Sequence, residues 1–244
     1  MTPFDQRIAA CRCEWGVVGH DNLAPADGTI IVDVLAFSTC VDVAAGQGVA
    51  ILPYVVRETA AEVFARDNQA ELAGPRGVAR YSLSPASFLD APRGTRCVLP
   101  SPNGAALTIR AAARTAVVLA GCLRNAANVA HRASQLGSKF NVCPAGERWP
   151  DGSLRPAIED LLGAGAILRH LPGQKSPEAL LAIAVFESAA PRLVDVLAQS
   201  SSGRELVERG FADDVELAGA LDVSRHVPRY DGMAFLDDLA LRHR

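Results

Sequence analysis

Aromatic side chains are scarce. Phe, Tyr and Trp together make up 5% of the 244 residues, while 49% are hydrophobic. The core must then be built largely from Ala, Val and Leu, which suits helices laid on a sheet. Long apolar runs are absent as well: Gly, Pro or a charge interrupts each within about 10 residues, against the roughly 20 that a spanning helix needs. The opening stretch, MTPFDQRIAACRCEWG, has no basic segment followed by an apolar one, so it is not read as a signal peptide. The formal net charge is −3 and the basic residues are dispersed. That argues against a nucleic-acid surface or a polybasic membrane patch. The expectation is a cytoplasmic protein without nucleic-acid or membrane partners, its six cysteines reduced.

Familiar chemical signatures are missing too. Cys11 and Cys13 form a lone C-x-C with no second pair, so zinc is not expected. D-x-D-x-T is absent, because Asp33 is followed by Val34 and Leu35. No Cys is followed six residues later by Arg, and no R-H-G, Walker loop, strand-linked G-x-G-x-x-G or G-x-S-x-G occurs. By motif, the common phosphatase, nucleotide-binding and serine-hydrolase classes drop out. Cys40, Cys97, Cys122 and Cys143 lie in or beside apolar runs, where free Cys behaves as a small core hydrophobe. A nucleophilic Cys122 or Cys143 has no His near it in sequence.

What is present is a repeated strand–tip–helix unit. The first is TIIVDVLAFSTCVDVAAGQG, residues 29–48. A β-branched apolar run carries Asp33, a polar tip follows, and Val41 to Ala45 read as a short helix stopped by Gly46 and Gly48. Ser38 or Thr39 stands where an N-cap belongs. Strands are read at 50–55, 96–99, 116–120 and 140–143, and helices at 58–69, 105–113 and 126–136. Pro156 is read at the first position of a helix running to about 171. Residues 178–199 read as helical with a break at Pro191, and 204–209 and 212–221 as short helices split by Gly210. Possible outer strands lie at 15–18 and 224–227. The fold expected is α/β, a three-layer αβα arrangement with a largely parallel or mixed sheet. Its polar tips gather at the carboxyl edge, in one domain over residues 1–244.

The tips carry the chemistry. Asp33, Ser38 and Thr39 come from the first, Ser101, Asn103 and Gly104 from the second, Arg124 and Asn125 from the third. Glu147, Arg148, Asp151 and Arg155 come from the fourth, with Glu159 and Asp160 one turn into its helix. Carboxylates, amides, hydroxyls and arginines on one edge suit a Mg²⁺-assisted site for a small phosphorylated acid. Each group also has a plain structural use. Pro-Asn-Gly makes turns, Ser and Thr cap helices, and acids in a first turn complement the helix dipole.

On this reading Asp33, Glu147 and Arg124 are the catalytic candidates. Ser38, Thr39, Asn103, Gly104, Asn125 and Arg155 would hold substrate. Asp33, Glu159 and Asp160 would hold Mg²⁺. A homodimer is expected only from the prevalence of twofold oligomers.

Seven blocks in order resemble the 2-phosphosulfolactate phosphatases: VDVLAFSTCVDVAAGQG, ELAGPRG, LPSPNGAAL, AGCLRNAANVA, PAGERWPDGSLRPAIEDLLGAGAI, SSSGRELVERGFADDVELAGALD and VPRYDG. The resemblance implies a cytosolic, Mg²⁺-dependent α/β hydrolase that removes phosphate from (R)-2-phospho-3-sulfolactate, a step of coenzyme M synthesis. One position departs. That family commonly reads Asp-Val-Leu-Arg-Ala-Ser-Thr, where this chain has Ala36 and Phe37. A less anionic phospho acid is therefore an alternative ligand. So is a non-catalytic protein that binds a metabolite on the same fold.

Overall fold

The computed structural model describes residues 3–55 and 59–238. Among them one large sheet dominates. Its strands are β1 (Cys11–Cys13), β2 (Gly28–Val32), β3 (Ala50–Tyr54), β4 (Glu71–Leu72), β5 (Arg96–Pro100), β6 (Val117–Gly121) and β7 (Phe140–Pro144), followed by β10 (Pro228–Tyr230) and β11 (Phe235–Asp237). Their order is β1-β7-β2-β6-β10-β11-β3-β5-β4. All pairings are parallel except those made by the β10–β11 hairpin, which lies antiparallel between β6 and β3. A separate two-stranded ribbon joins β8 (Glu147–Arg148) to β9 (Leu154–Arg155).

Alternation along the strands makes the layers. Ile30 and Val32 of β2 point to one face, which is covered by α5 (Ala126–Leu136), α6 (Ile158–Leu168) and α7 (Pro177–Ala189). Ile31 points to the other, covered by α2 (Phe37–Gly46) and α4 (Gly104–Ala112). Strands with helices on both faces bury both side-chain rows, hence the near-continuous apolar reading of the first unit. The fold is thus a three-layer αβα arrangement on a mostly parallel sheet. Gly165 lets α6 approach α7, since a Cβ there would collide with the Ala182 carbonyl. No helix among the described residues is long and apolar enough to cross a membrane.

Several expected elements move. Residues 16–18 belong to α1 (Gly16–Asn22) with Trp15 at its N-cap, and the edge strand next to β7 is Cys11–Cys13 instead. Strand β2 ends at Val32, so Asp33 stands one residue beyond it. Helix α2 begins at Phe37, with Ala36 at its N-cap and no side-chain cap. Helix α3 is Thr59–Asp67, and Glu58, expected to open it, lies outside the described residues. Pro156 precedes the Ala157 N-cap of α6 rather than opening the helix. The strand expected at 224–227 is replaced by the hairpin just beyond it. Helix α8 (Leu193–Gln199) follows the break at Pro191, and α9 (Ser201–Glu208) and α10 (Ala212–Gly219) flank Gly210.

Candidate active site

Asp33 follows directly on β2, whose end pairs with Gly121 and Pro144 on its two neighbours. Its Oδ1 accepts from the Phe37 N–H at 3.0 Å, the first residue of α2. Its Oδ2 accepts from the Gly104 N–H at 3.0 Å, the first residue of α4. The carboxylate is thus held between two helix N-termini, whose exposed amides and dipoles favour an anion. Gly104 is needed for this approach: an added Cβ would fall 2.7 Å from Asp33 Oδ2 and 2.4 Å from the Phe37 ring.

Asp160, in the first turn of α6, performs a parallel task. Its Oδ1 accepts from Val34 N–H at 2.7 Å and its Oδ2 from Gly146 N–H at 2.9 Å. One carboxylate therefore ties the tip after β2 to the tip after β7. Beside it Glu159 is 2% exposed, yet has no hydrogen bond or ion pair among the described residues. Glu147, on β8, accepts from the Asn103 side-chain amide at 3.0 Å. The tips of β2, β5 and β7 and the start of α6 thus bring Asp33, Asn103, Gly104, Glu147, Glu159 and Asp160 together.

These acids act on one another. Burial, then the charge of Glu147, pushes the Asp33 carboxyl up to about 7, against the lowering effect of its two amide bonds. Burial, then the charges of Asp33 and Glu159, drives Asp160 well above the carboxylate range. Burial likewise raises Glu147, although Asn103 and Arg155 oppose it. Like charges crowded in a desolvated place favour protonation or a bound cation.

The other candidates serve elsewhere. Ser38 Oγ accepts from Asp33 N–H and donates to the Ile31 carbonyl, and Thr39 Oγ1 donates to the Val34 carbonyl at 2.7 Å. Both residues are fully buried and their hydroxyl protons are spent on the backbone of the β2 tip. Asn125 accepts from the Cys122 N–H and donates to the carbonyls of Ala120 and His226. Arg124 is ion-paired with Asp42 at 2.9 Å and donates to the Leu217 carbonyl. None of the contacts of Arg124 and Asn125 reaches the carboxylate cluster. Arg155 pairs in register with Glu147 across the ribbon and donates to Ser202 Oγ at 2.9 Å.

A cavity of about 210 Å³ opens on Asn103 and Glu147, walled by Trp15, Val17, Leu107 and Leu154 and edged by Arg148. Sequence reasoning gave no role to this wall. Trp15 and Leu107 lie far from the acids in the chain, and only the rarity of Trp marks the first. Arg148 is named with Glu147 in the fourth tip but is given no role there. All six cysteines are buried and free. Burial raises every one of their thiols, to about 12 for Cys13 and Cys97, so they are protonated and poor nucleophiles.

The donor set fits a hard divalent cation. Among the described residues Glu159 has no hydrogen-bond or ion-pair partner, and each oxygen of Asp33 and Asp160 accepts one amide and keeps a lone pair. Among the described residues no three His, Cys, Asp or Glu side chains are close enough to hold one ion by themselves. Mg²⁺ does not demand that, since it keeps waters and takes one or two carboxylates together with substrate phosphate.

Residues 19–233 match the family model described as 2-phosphosulpholactate phosphatase. A probable 2-phosphosulfolactate phosphatase of Gloeobacter violaceus is 31% identical over 136 residues, and the match spans 56% of each chain, about half of that relative's length. One from Symbiobacterium thermophilum is 29% identical over 227 residues, covering 85% of this chain and 94% of its own. The 2-phosphosulfolactate phosphatase of Methanothermobacter thermautotrophicus is 29% identical over 208 residues, covering 82% and 85%.

Proposed function

The chain belongs to the 2-phosphosulpholactate phosphatase family, and on that premise we propose that it is a Mg²⁺-dependent phosphoric monoester hydrolase acting on a small phosphorylated 2-hydroxy acid. The names of its relatives make 2-phosphosulfolactate the reference substrate. The observation that carries the reading is the cluster of four acids, Asp33, Glu147, Glu159 and Asp160, of which Glu147 lines a cavity beside Asn103.

Each group has a task on this reading. Glu147 is in reach of a molecule in the cavity, and its carboxyl, raised by burial, suits proton transfer. Water oxygen bonds to phosphorus, the bond from phosphorus to the C2 oxygen breaks, and Glu147 passes the water proton to that departing oxygen. Asn103 keeps Glu147 in place. One or two of Asp33, Glu159 and Asp160, together with substrate phosphate, would hold Mg²⁺, which when bound offsets negative charge on the phosphoryl oxygens. Arg155 and Arg148 attract the anionic ends of the substrate.

The test is phosphate release by the purified chain, with and without Mg²⁺, from 2-phosphosulfolactate, phospholactate, 2-phosphoglycerate and p-nitrophenyl phosphate. Turnover that requires Mg²⁺ and falls at least about 100-fold in Asp33→Asn is expected. A folded protein that binds one of these compounds and turns over none overturns the proposal in favour of a metabolite-binding role.

A further inference from the structure

Arg124 has no part in the acid cluster, yet it lines a second cavity, of about 340 Å³. The walls come from the later half of α2 (Asp42, Gly46), the tip after β6 (Arg124) and the segment before β10 (Ser224, Arg225, His226). No residue of this lining is shared with the cavity at Glu147. Helix α2 stands between the two places. Phe37, whose amide holds Asp33, opens the helix and Gly46 closes it. A rise of about 1.5 Å per residue puts about 14 Å between them.

The charged groups here are anchored from behind. Asp42 is almost fully buried, and both its oxygens are occupied: Ser224 Oγ donates to Oδ1 at 2.6 Å and Arg124 Nε to Oδ2 at 2.9 Å. Arg124 Nη1 donates to the Leu217 carbonyl, which leaves Nη2 without a bond among the described residues. His226 is fixed in the same way. Asp237 accepts from its Nδ1 at 2.7 Å, and this bond raises the imidazole above its ordinary value. When the ring is charged, Nε2 carries a proton as well. Gly46 leaves room beside it, since an added Cβ would stand 3.3 Å from Nε2. Arg225 is exposed and makes no hydrogen bond or ion pair among the described residues.

Among the described residues, two arginines and a histidine thus line the cavity against a single carboxylate, Asp42, which is already paired. Donors anchored in this way lose little freedom when an anion arrives. Guanidinium and imidazolium groups with N–H groups to spare suit the oxygens of a phosphoryl group. Val43, Leu89 and Val223 give the same cavity an apolar side, where an organic substituent would gain from burial.

We propose that this cavity is a second anion site, which binds the phosphoryl group of a small molecule apart from the acid cluster. Arg124, Arg225 and His226 Nε2 supply the hydrogen bonds. The site does not depend on the reaction proposed above.

The test titrates the full chain, free of divalent ions and at constant ionic strength, with inorganic phosphate and with phenylphosphonate, an organic counterpart that cannot be hydrolysed as an ester. Backbone amide shifts report where each binds. Saturating shifts are expected at Gly46, Ser224, Arg225 and His226. Arg225→Glu alters an exposed, unpaired side chain, so the fold is not at stake, and Arg124→Lys keeps the charge beside Asp42. Each is expected to weaken binding about tenfold or more, the scale of one charge-assisted hydrogen bond. Both ligands serve the proposal: tighter phenylphosphonate assigns the site to organic phosphates, equal affinity to free phosphate. Saturating shifts confined to Phe37, Asn103 and Gly104 would put the anion in the candidate active site and overturn the inference. Shifts that never saturate, or an affinity that either folded variant leaves unchanged, would overturn it too. Phosphate release is read separately, so each of these results leaves the phosphatase reading intact.

Discussion

Asp33 shows how a single carboxylate is pulled in two directions. Two helix N-termini favour its charged form, while burial and the neighbouring acids favour the neutral one, and the second influence wins. Stability should record this. The ordinary carboxyl titrates near 3.8 and Asp33 near 7. Between those values the native state holds a proton that the unfolded chain has lost. The stabilisation is present at low pH and is lost as pH rises through about 7.

Glu147 is raised as well and contributes with the same sign. Without divalent ions the protein should melt at a lower temperature at pH 8 than at pH 5.5. The share from Asp33 is about 2 kcal/mol, or roughly 5 °C at this chain length. Two histidines are also shifted: the Asp237 hydrogen bond raises His226, and burial lowers His20. The control is therefore Glu147→Gln, which leaves both histidines in place and removes one charge that raises Asp33. It should flatten the slope between the two pH values. An unchanged slope in that variant would show that the acids do not titrate together.

At the scale of elements, the site depends on how tips are tied. The N-terminal turn of α6 supplies Asp160, which holds Val34 and Gly146 at once. Asp160→Ala leaves two buried amides without acceptors, at about 1–3 kcal/mol each. The expected result is a fall in stability by urea unfolding, with faster hydrogen exchange concentrated at Val34 and Gly146. A protein with wild-type exchange at those amides would assign the clamp to other contacts.

This clamp also marks what the sequence makes legible. Alternating strands and helices, the α/β class and the gathering of tips follow from local periodicity, and α5 is read with both ends correct at 126–136. The acids could be singled out because a carboxylate beside an apolar run is costly unless partnered. Their partners could not. Asp160 and Val34 are 126 positions apart, and nothing local tells a metal ligand from a tie between loops. The hydroxyls of Ser38 and Thr39 suggest phosphate donors by type, while packing turns them back onto the strand tip.

At the scale of the molecule, the sheet is two parallel groups joined by a foreign piece. The strands β1, β7, β2 and β6 form one group and β3, β5 and β4 the other, with the β10–β11 hairpin between them. The halves also share the site. Asp33 and Glu147 follow strands of the first group, whereas Asn103 and Gly104 follow β5 of the second. Phe235 of β11 is almost fully buried and packs edge to face on Phe37, centroids 6.1 Å apart. Phe37 is the residue whose amide holds Asp33, so the hairpin supports the site from beneath.

Local patterns did not foretell this insertion. Each strand has three residues and pairs with its outer neighbour at a single position, too little to produce a period in sequence. Truncation after Val227 should remove the bridge and leave β6 and β3 with unpaired facing edges, which invite association with other chains. The shortened protein is expected to aggregate or to lose its cooperative melt, and with it all phosphate release. Retention of a single sharp transition near the wild-type temperature would mean that β6 and β3 close on each other directly. The two groups of strands would then form one sheet without the hairpin.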